Sequence, residues 1–269
     1  MTIKWALVSL SGLFLLGWKG GARYSEPLSA RSAATPVLVE LFTSEGCSSC
    51  PPADRFLQKL DQQTVAGAEV IVLSEHVDYW NHIGWKDPYS AHFYSERQRS
   101  YAKRFNLDSV YTPQMVVDGV TQFVGSDIAA ADKALAKAIA IPKLPVRISF
   151  VSSSPEIVGA HIEAGKLDRS FGVQEAELYI AIALNRTESQ VSSGENAGHK
   201  LEHVGVVREL RRIGVLKLAQ GFSQDVQLER RVVPGDARLI AFVQERQQGR
   251  VLGAAQLTVK ANESVPANP

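Results

Sequence analysis

The chain contains two cysteines, Cys47 and Cys50, and both lie in the stretch TSEGCSSCPPAD. Such a pair suits three kinds of chemistry: a covalent staple, half of a metal site, or a redox centre. As a staple it is inefficient. Closing a four-residue loop removes about 2 kcal/mol of unfolded-state entropy, against about 3 kcal/mol for a 15-residue loop. As a redox pair, adjacency is what the reaction needs. One thiolate attacks a partner disulfide and the second resolves the mixed disulfide. Backbone N–H groups at a helix start would stabilise a thiolate there. If Cys50 is the N-cap, Pro51 falls at the first helical position, where its missing N–H costs nothing.

Other groups could join these sulfurs. The segment HVDYWNHIGWKDP supplies His76 and His82, and with Cys47 and Cys50 these would make a copper or zinc ligand set. The competing expectation is an ordered loop that packs Trp80 and Trp85 as a lid or platform. Glu40 and Glu45 flank the motif and are expected to be solvated or locally capped. His199 and His203 stand four apart, but Lys200 breaks an H-E-x-x-H pattern, so both are expected on the surface.

The elements that must position the cysteines follow from periodicity. VLVELFT, from Val37 to Thr43, is an apolar run of strand length, and ADRFLQKLDQQ places Phe56, Leu57 and Leu60 at helical spacing. EVIVLSEHV, from Glu69 to Val77, reads as a buried strand. A helix follows with Ala91, Tyr94, Tyr101, Ala102 and Phe105 on one face. PQMVVDGVTQFVG is a hairpin turning at Asp118-Gly119. The last helix is capped by Ser126 or Asp127, with Ile128, Ala131, Leu135 and Ile139 inward. From about Leu144 short strand-like runs recur between turn residues, with QQGR as a hairpin tip. A short helix is expected near Val206 to Leu218.

Composition narrows the function. Lys and Arg number 29 against 28 Asp and Glu, and no basic tract tracks a phosphate backbone, so nucleic acid is not an expected partner. Lys4, the apolar run Trp5 to Leu16 and the small residues before Ala22 read as a signal peptide, residues 1–22. The run is short for a membrane span, so no stable insertion is expected after cleavage; an uncleaved anchor is the alternative. The protein is expected to be periplasmic or secreted, where disulfides persist.

The placement of C-x-x-C between the first strand and the next helix, followed by YTPQMVVDG with Pro113 after Thr112, resembles the thioredoxin superfamily over roughly Pro36 to Ala140. TPQMVVDGVTQFVGSD is similar to the corresponding part of glutaredoxins. The whole chain, including SEHVDYWNHIGWKDPYS and the later GENAG, resembles an exported bacterial family catalogued as domain of unknown function 1223. The resemblance implies an α/β thioredoxin-like domain, residues 36–142, followed by a mainly antiparallel β-sandwich-like domain, residues 144–260, with a disordered tail at 261–269. It further implies Cys47 as an exposed nucleophile and Cys50 as the resolving thiol. A cis bond at Thr112–Pro113 would present that backbone to an extended peptide. Gly125, Ser126 and Asp127 would hold the end of glutathione, unless they form only a helix cap.

The expected function is therefore an exported thiol–disulfide oxidoreductase that needs no cofactor. Its expected partners are thiol- or disulfide-bearing proteins, with glutathione as a further candidate. The alternatives are a copper- or other metal-binding module using Cys47, Cys50, His76 and His82, and an interaction scaffold with an inert disulfide.

Overall fold

The structure, a computed structural model, describes residues 34–229 and 236–260, which belong to one compact unit. The expected signal peptide and the tail lie outside the described residues. Among the described residues, no helix is long and apolar enough to cross a membrane.

The first half runs β1 (Thr35–Thr43), α1 (Pro51–Gln62), β2 (Ala68–His76), α2 (His92–Arg104), β3 (Gln114–Val117), β4 (Thr121–Val124) and α3 (Ile128–Ile139). The second half contributes β5 (Val146–Ser153), β6 (Ile157–Ala164), β7 (Glu175–Gln190), β8 (Lys200–Lys217), β9 (Phe222–Glu229), β10 (Ala237–Gln244) and β11 (Val251–Val259).

β1 is buried on both faces, which its continuous apolar run requires. It pairs in parallel with β2 and antiparallel with β3. Val37, Val39 and Leu41 point to the side covered by α1 and α3, where they pack with Leu57, Leu60, Ala131 and Leu135. Leu38 points the other way, toward Tyr94 of α2 and Phe242 of β10. Asp118 and Gly119 turn the β3–β4 hairpin with φ of 50° and 66°. Ile128 was expected inward on α3 but is 54% exposed. Ala131 and Leu135 are buried as expected, joined by Ala134 and Ala138, with Ile139 partly buried against the same core.

The two halves share one mixed sheet, ordered β11-β10-β7-β8-β2-β1-β3-β4. The second sheet, β5-β6-β9, is antiparallel and packs its inner face onto β7 and β10. The expected boundary at residues 142–144 is not a free linker. Lys143 pairs with Asp118 at 2.6 Å, and the Leu144 N–H donates to the Leu252 carbonyl at 2.6 Å. The joint is β8, which meets β2 in parallel at Ser74 and Val206. Gly205 makes this approach possible: with φ at 59°, a Cβ there would stand 2.6 Å from the Val72 carbonyl oxygen.

β8 also corrects the expected helix near Val206 to Leu218. Val206 to Lys217 are strand, paired along most of β7, and Leu218 begins a turn. The charges in VVRELRRIGVLK suggest helical spacing, but the long ladder to β7 and the β-branched residues at its core end override that local preference.

Candidate functional site

Cys47 and Cys50 form a disulfide, with S–S at 2.13 Å and Cα atoms 5.4 Å apart. The loop that holds them leaves β1 at Thr43 and is tightened by backbone bonds from Cys47 to Ser44 and from Cys50 to Cys47. Cys50 is the N-cap of α1, so Pro51 and Pro52 occupy its first two positions and forfeit no ladder bond. Ala53 and Asp54 donate their N–H groups to the Cys50 carbonyl.

Both cysteines are fully buried, which corrects the expectation of an exposed Cys47. Ser48 and Ser49 face solvent at the loop tip while the sulfurs lie beneath. The cover is the β7–β8 connection. Asn196, itself buried, donates its side-chain amide to the carbonyls of Glu45 at 2.8 Å and Cys47 at 3.0 Å. Glu195 accepts the Ser48 N–H at 3.0 Å, and contacts with the Ser48 side chain and then its N–H lower the Glu195 pKa. Ser193 donates to the Gly84 carbonyl at 2.6 Å. Gly194 lets this strap lie against the tryptophan loop: at φ of 78°, a Cβ would stand 3.1 Å from that of Trp85.

Beneath the motif lies a buried polar cluster. Glu45, expected to be solvated or locally capped, and His203, expected at the surface, have 0% and 1% exposure. His203 Nε2 stands 3.3 Å from Glu45 Oε1, and its Nδ1 stands 3.7 Å from Asp54 Oδ1. These are ion-pair contacts rather than well-formed hydrogen bonds, and the four atoms have no hydrogen-bond partner. Burial works to lower the His203 pKa, but the contacts with Asp54 and Glu45 overcome it and raise the value to about 10. The other oxygen of Glu45 accepts from Trp85 Nε1 at 2.7 Å, and that of Asp54 from Thr43 Oγ1 at 3.2 Å. The His76 ring crosses that of His203 with centroids 4.8 Å apart. His76 pairs through Nδ1 with Asp87 at 2.7 Å, and Asp87 also accepts the Glu45 N–H at 2.9 Å. Burial would raise the Asp87 pKa; His76 and the N–H groups of Glu45 and Tyr89 hold it below its ordinary value.

A cleft of about 260 Å³ opens between α1 and β8, with Pro51, Asp54, Arg55, Leu201 and His203 among its walls.

The other candidate residues are placed as follows. Thr112–Pro113 is a cis peptide bond. Thr112 Oγ1 accepts from Trp80 Nε1 at 2.7 Å, and the Trp80 Cβ in turn closes against Gly46. Gly125 is wedged between Pro113, Leu41 and Ala53, and its N–H donates to the Pro113 carbonyl at 2.9 Å. Ser126 is exposed, and Asp127 spends its carboxylate on capping α3 through Ala130 N at 2.9 Å. The four residues of the metal alternative are not gathered: Cys47 and Cys50 are bonded to each other, His76 faces Asp87 in the interior, and His82 is exposed. Among the described residues, no group of three or more His, Cys, Asp or Glu could hold a metal ion.

Glu40 is also fully buried and not solvated. It takes the Arg97 guanidinium at 2.6 Å and the Tyr101 hydroxyl. Glu75 lies 3.5 Å from the same Arg97. Burial pushes its pKa well up; Arg97 opposes this and Glu40 reinforces it. This second cluster ties α2 to β1, β2 and, through Gln244, to β10.

Asp54, Asp87, His203 and Asn196 were missed as site residues. A signal existed for two of them. Asp54 falls one turn before Leu57 on the inward face of α1, and His203 follows Leu201 on the inward side of a strand.

The chain was compared with known proteins. The family described as "Protein of unknown function (DUF1223)" matches residues 38–244, and the chain belongs to that family. A crystal structure of protein AGR_C_4864 from Agrobacterium tumefaciens is 27% identical, with a TM-score of 0.64 over 88% of this chain and 99% of that one. HBP35 of Porphyromonas gingivalis is 16% identical, with a TM-score of 0.62 over 88% of this chain and 80% of that one, a likeness of fold alone. The comparison with curated proteins returned no match.

Proposed function

We propose that this member of the DUF1223 family is an exported thiol–disulfide oxidoreductase built on a thioredoxin-like domain, and that Cys47 and Cys50 are its redox pair. The observation that carries the reading is the disulfide itself, closed over two intervening residues at the start of α1. A bridge this short contributes little as a staple, and the fold already has an extensive core. The run of β1, α1, β2, α2, β3, β4 and α3, with the cysteines between β1 and α1 and Pro113 just ahead of β3, supports the thioredoxin-like assignment. The N-terminal apolar segment supports export. The partners are proteins bearing thiols or disulfides, and exchange proceeds through a mixed disulfide with no cofactor. Because the sulfurs are enclosed, a partner must first displace the strap at residues 193–196.

That enclosure favours one second reading, an interaction scaffold whose disulfide stays idle. The test is disulfide reductase and isomerase activity on a scrambled protein substrate. An oxidoreductase loses activity in Cys47→Ser and accumulates mixed disulfides in Cys50→Ser. A scaffold shows neither.

A further inference from the structure

The outer face of the β5-β6-β9 sheet carries polar side chains that the cysteine chemistry does not use. β6 pairs antiparallel with β9, with His161 opposite Asp225 and Glu163 opposite Ser223. Alternate residues of a strand share a face, and diagonal neighbours across a pair lie within reach of long side chains. Val158, Ala160, Ile162, Val226 and Leu228 turn to the core. His161, Glu163, Ser223 and Asp225 gather on the solvent side, with His161 half-buried and the others exposed.

His161 Nδ1 stands 2.5 Å from Asp225 Oδ1, and its Nε2 stands 3.1 Å from Ser223 Oγ. These contacts fix the tautomer. An ionised carboxylate only accepts, so Nδ1 carries the ring proton and donates it to Asp225. Nε2 is left as an acceptor, and the Ser223 hydroxyl donates to it. Glu163 Oε1 lies 3.9 Å from the same Nε2, on the side where positive charge develops when that proton moves. A hydroxyl on a base that is itself oriented by a carboxylate is the arrangement that activates serine for acyl transfer. Asp225 also borders a shallow groove of about 560 Å³ beside β8, which leaves room for a substrate chain.

We propose that Ser223, His161 and Asp225 form a separate hydrolytic site, which cleaves small carboxylic esters by acyl transfer to Ser223. The assignment stands apart from the oxidoreductase reading. Ser223 Oγ attacks the ester carbonyl carbon as its proton passes to His161 Nε2. The bond from that carbon to the leaving oxygen breaks, and His161 gives the proton to the departing alcohol. Water then attacks the acyl group and passes one proton to His161. The bond to Ser223 Oγ breaks, Oγ regains that proton, and a carboxylic acid leaves. Ser223 and His161 touch the reacting atoms, whereas Asp225 is a positioning residue that acts through His161. On an open sheet face water solvates the oxyanion, so the expected acceleration is that of general-base catalysis, about 100- to 10,000-fold over background.

The test is hydrolysis of p-nitrophenyl acetate by the full-length protein, joined to labelling with a fluorophosphonate and peptide mass spectrometry. The wild-type protein should release nitrophenolate faster than buffer and carry the label on Ser223. Release should fall at least about 100-fold in Ser223→Ala and in His161→Gln. Asp225→Asn should lower kcat and kcat/KM together with KM unchanged, the mark of an interaction made only in the transition state. The labelling is read on the wild-type protein and needs no variant to fold. Hydrolysis no faster than buffer, equal rates in wild type and Ser223→Ala, or label confined to residues other than Ser223 overturns the proposal.

Discussion

Nε2 of His203 lies 3.3 Å from Oε1 of Glu45, so a residue of the second half of the chain is buried directly against the loop that carries the cysteines. This contact, with that between His203 and Asp54, makes β8 part of the site and not merely a neighbour of it. It has consequences for stability.

His203 is raised from its ordinary 6.5 to about 10 in the folded protein. A group raised on folding contributes stability that is fully present below its unfolded value and is lost as pH rises through the folded one. The wild-type protein should therefore lose stability between about pH 6.5 and 10 by urea titration, whereas His203→Gln should show a flatter profile over that window. At pH 6.5 the variant should be less stable by about 3 kcal/mol, the cost of leaving a buried charge unpaired.

Arg97 and Glu75 should behave asymmetrically. Removing the cation in Arg97→Met leaves Glu40 buried and uncompensated, and should cost about 3–5 kcal/mol. Glu75 is held well above its ordinary carboxyl value by burial, so it favours the protonated form. Its contribution falls as pH rises above its unfolded value of 4.5. Glu75→Gln should flatten that part of the profile, matching the wild-type protein near pH 4 and becoming the more stable of the two as pH rises toward 8. Denaturant titrations of both variants across pH 4–8 check this.

The strap is held mainly by Asn196, whose amide serves two carbonyls beside the disulfide. Asn196→Ala should remove about 1–3 kcal/mol, taking each bond at 0.5–1.5 kcal/mol. It should also speed reduction of Cys47–Cys50 by a bulky thiol more than by a small one. Comparing glutathione with mercaptoethanol as reductants measures the difference, and equal acceleration by both would contradict a covering role.

Much of this arrangement was legible in the sequence. The cysteine spacing, the proline pair that sets Cys50 as N-cap and the Asp118-Gly119 turn are local signals, and local signals survive folding. The apolar runs of β1 and β2 marked the central strands for the same reason. The cluster was not legible, because Glu45, Asp54, His76 and His203 become neighbours only when β8 docks beside β2. A charged residue in a sequence carries no mark of the partner that will bury it. β8 was misjudged for a related cause: its charges imitate a helix, and only pairing with β7 reveals a strand. The sheet continues across the expected division, because β8 pairs with β2.

The central claim is that Cys47 and Cys50 cycle between disulfide and dithiol. The most direct measurement is their redox equilibrium, followed by the mass shift on thiol alkylation across glutathione buffers. The account predicts a reversible transition with a potential between about −120 and −270 mV, the range of working oxidoreductases. A pair that stays oxidised in every buffer, while remaining intact on unfolding, would contradict it and leave the disulfide as an idle part of a scaffold.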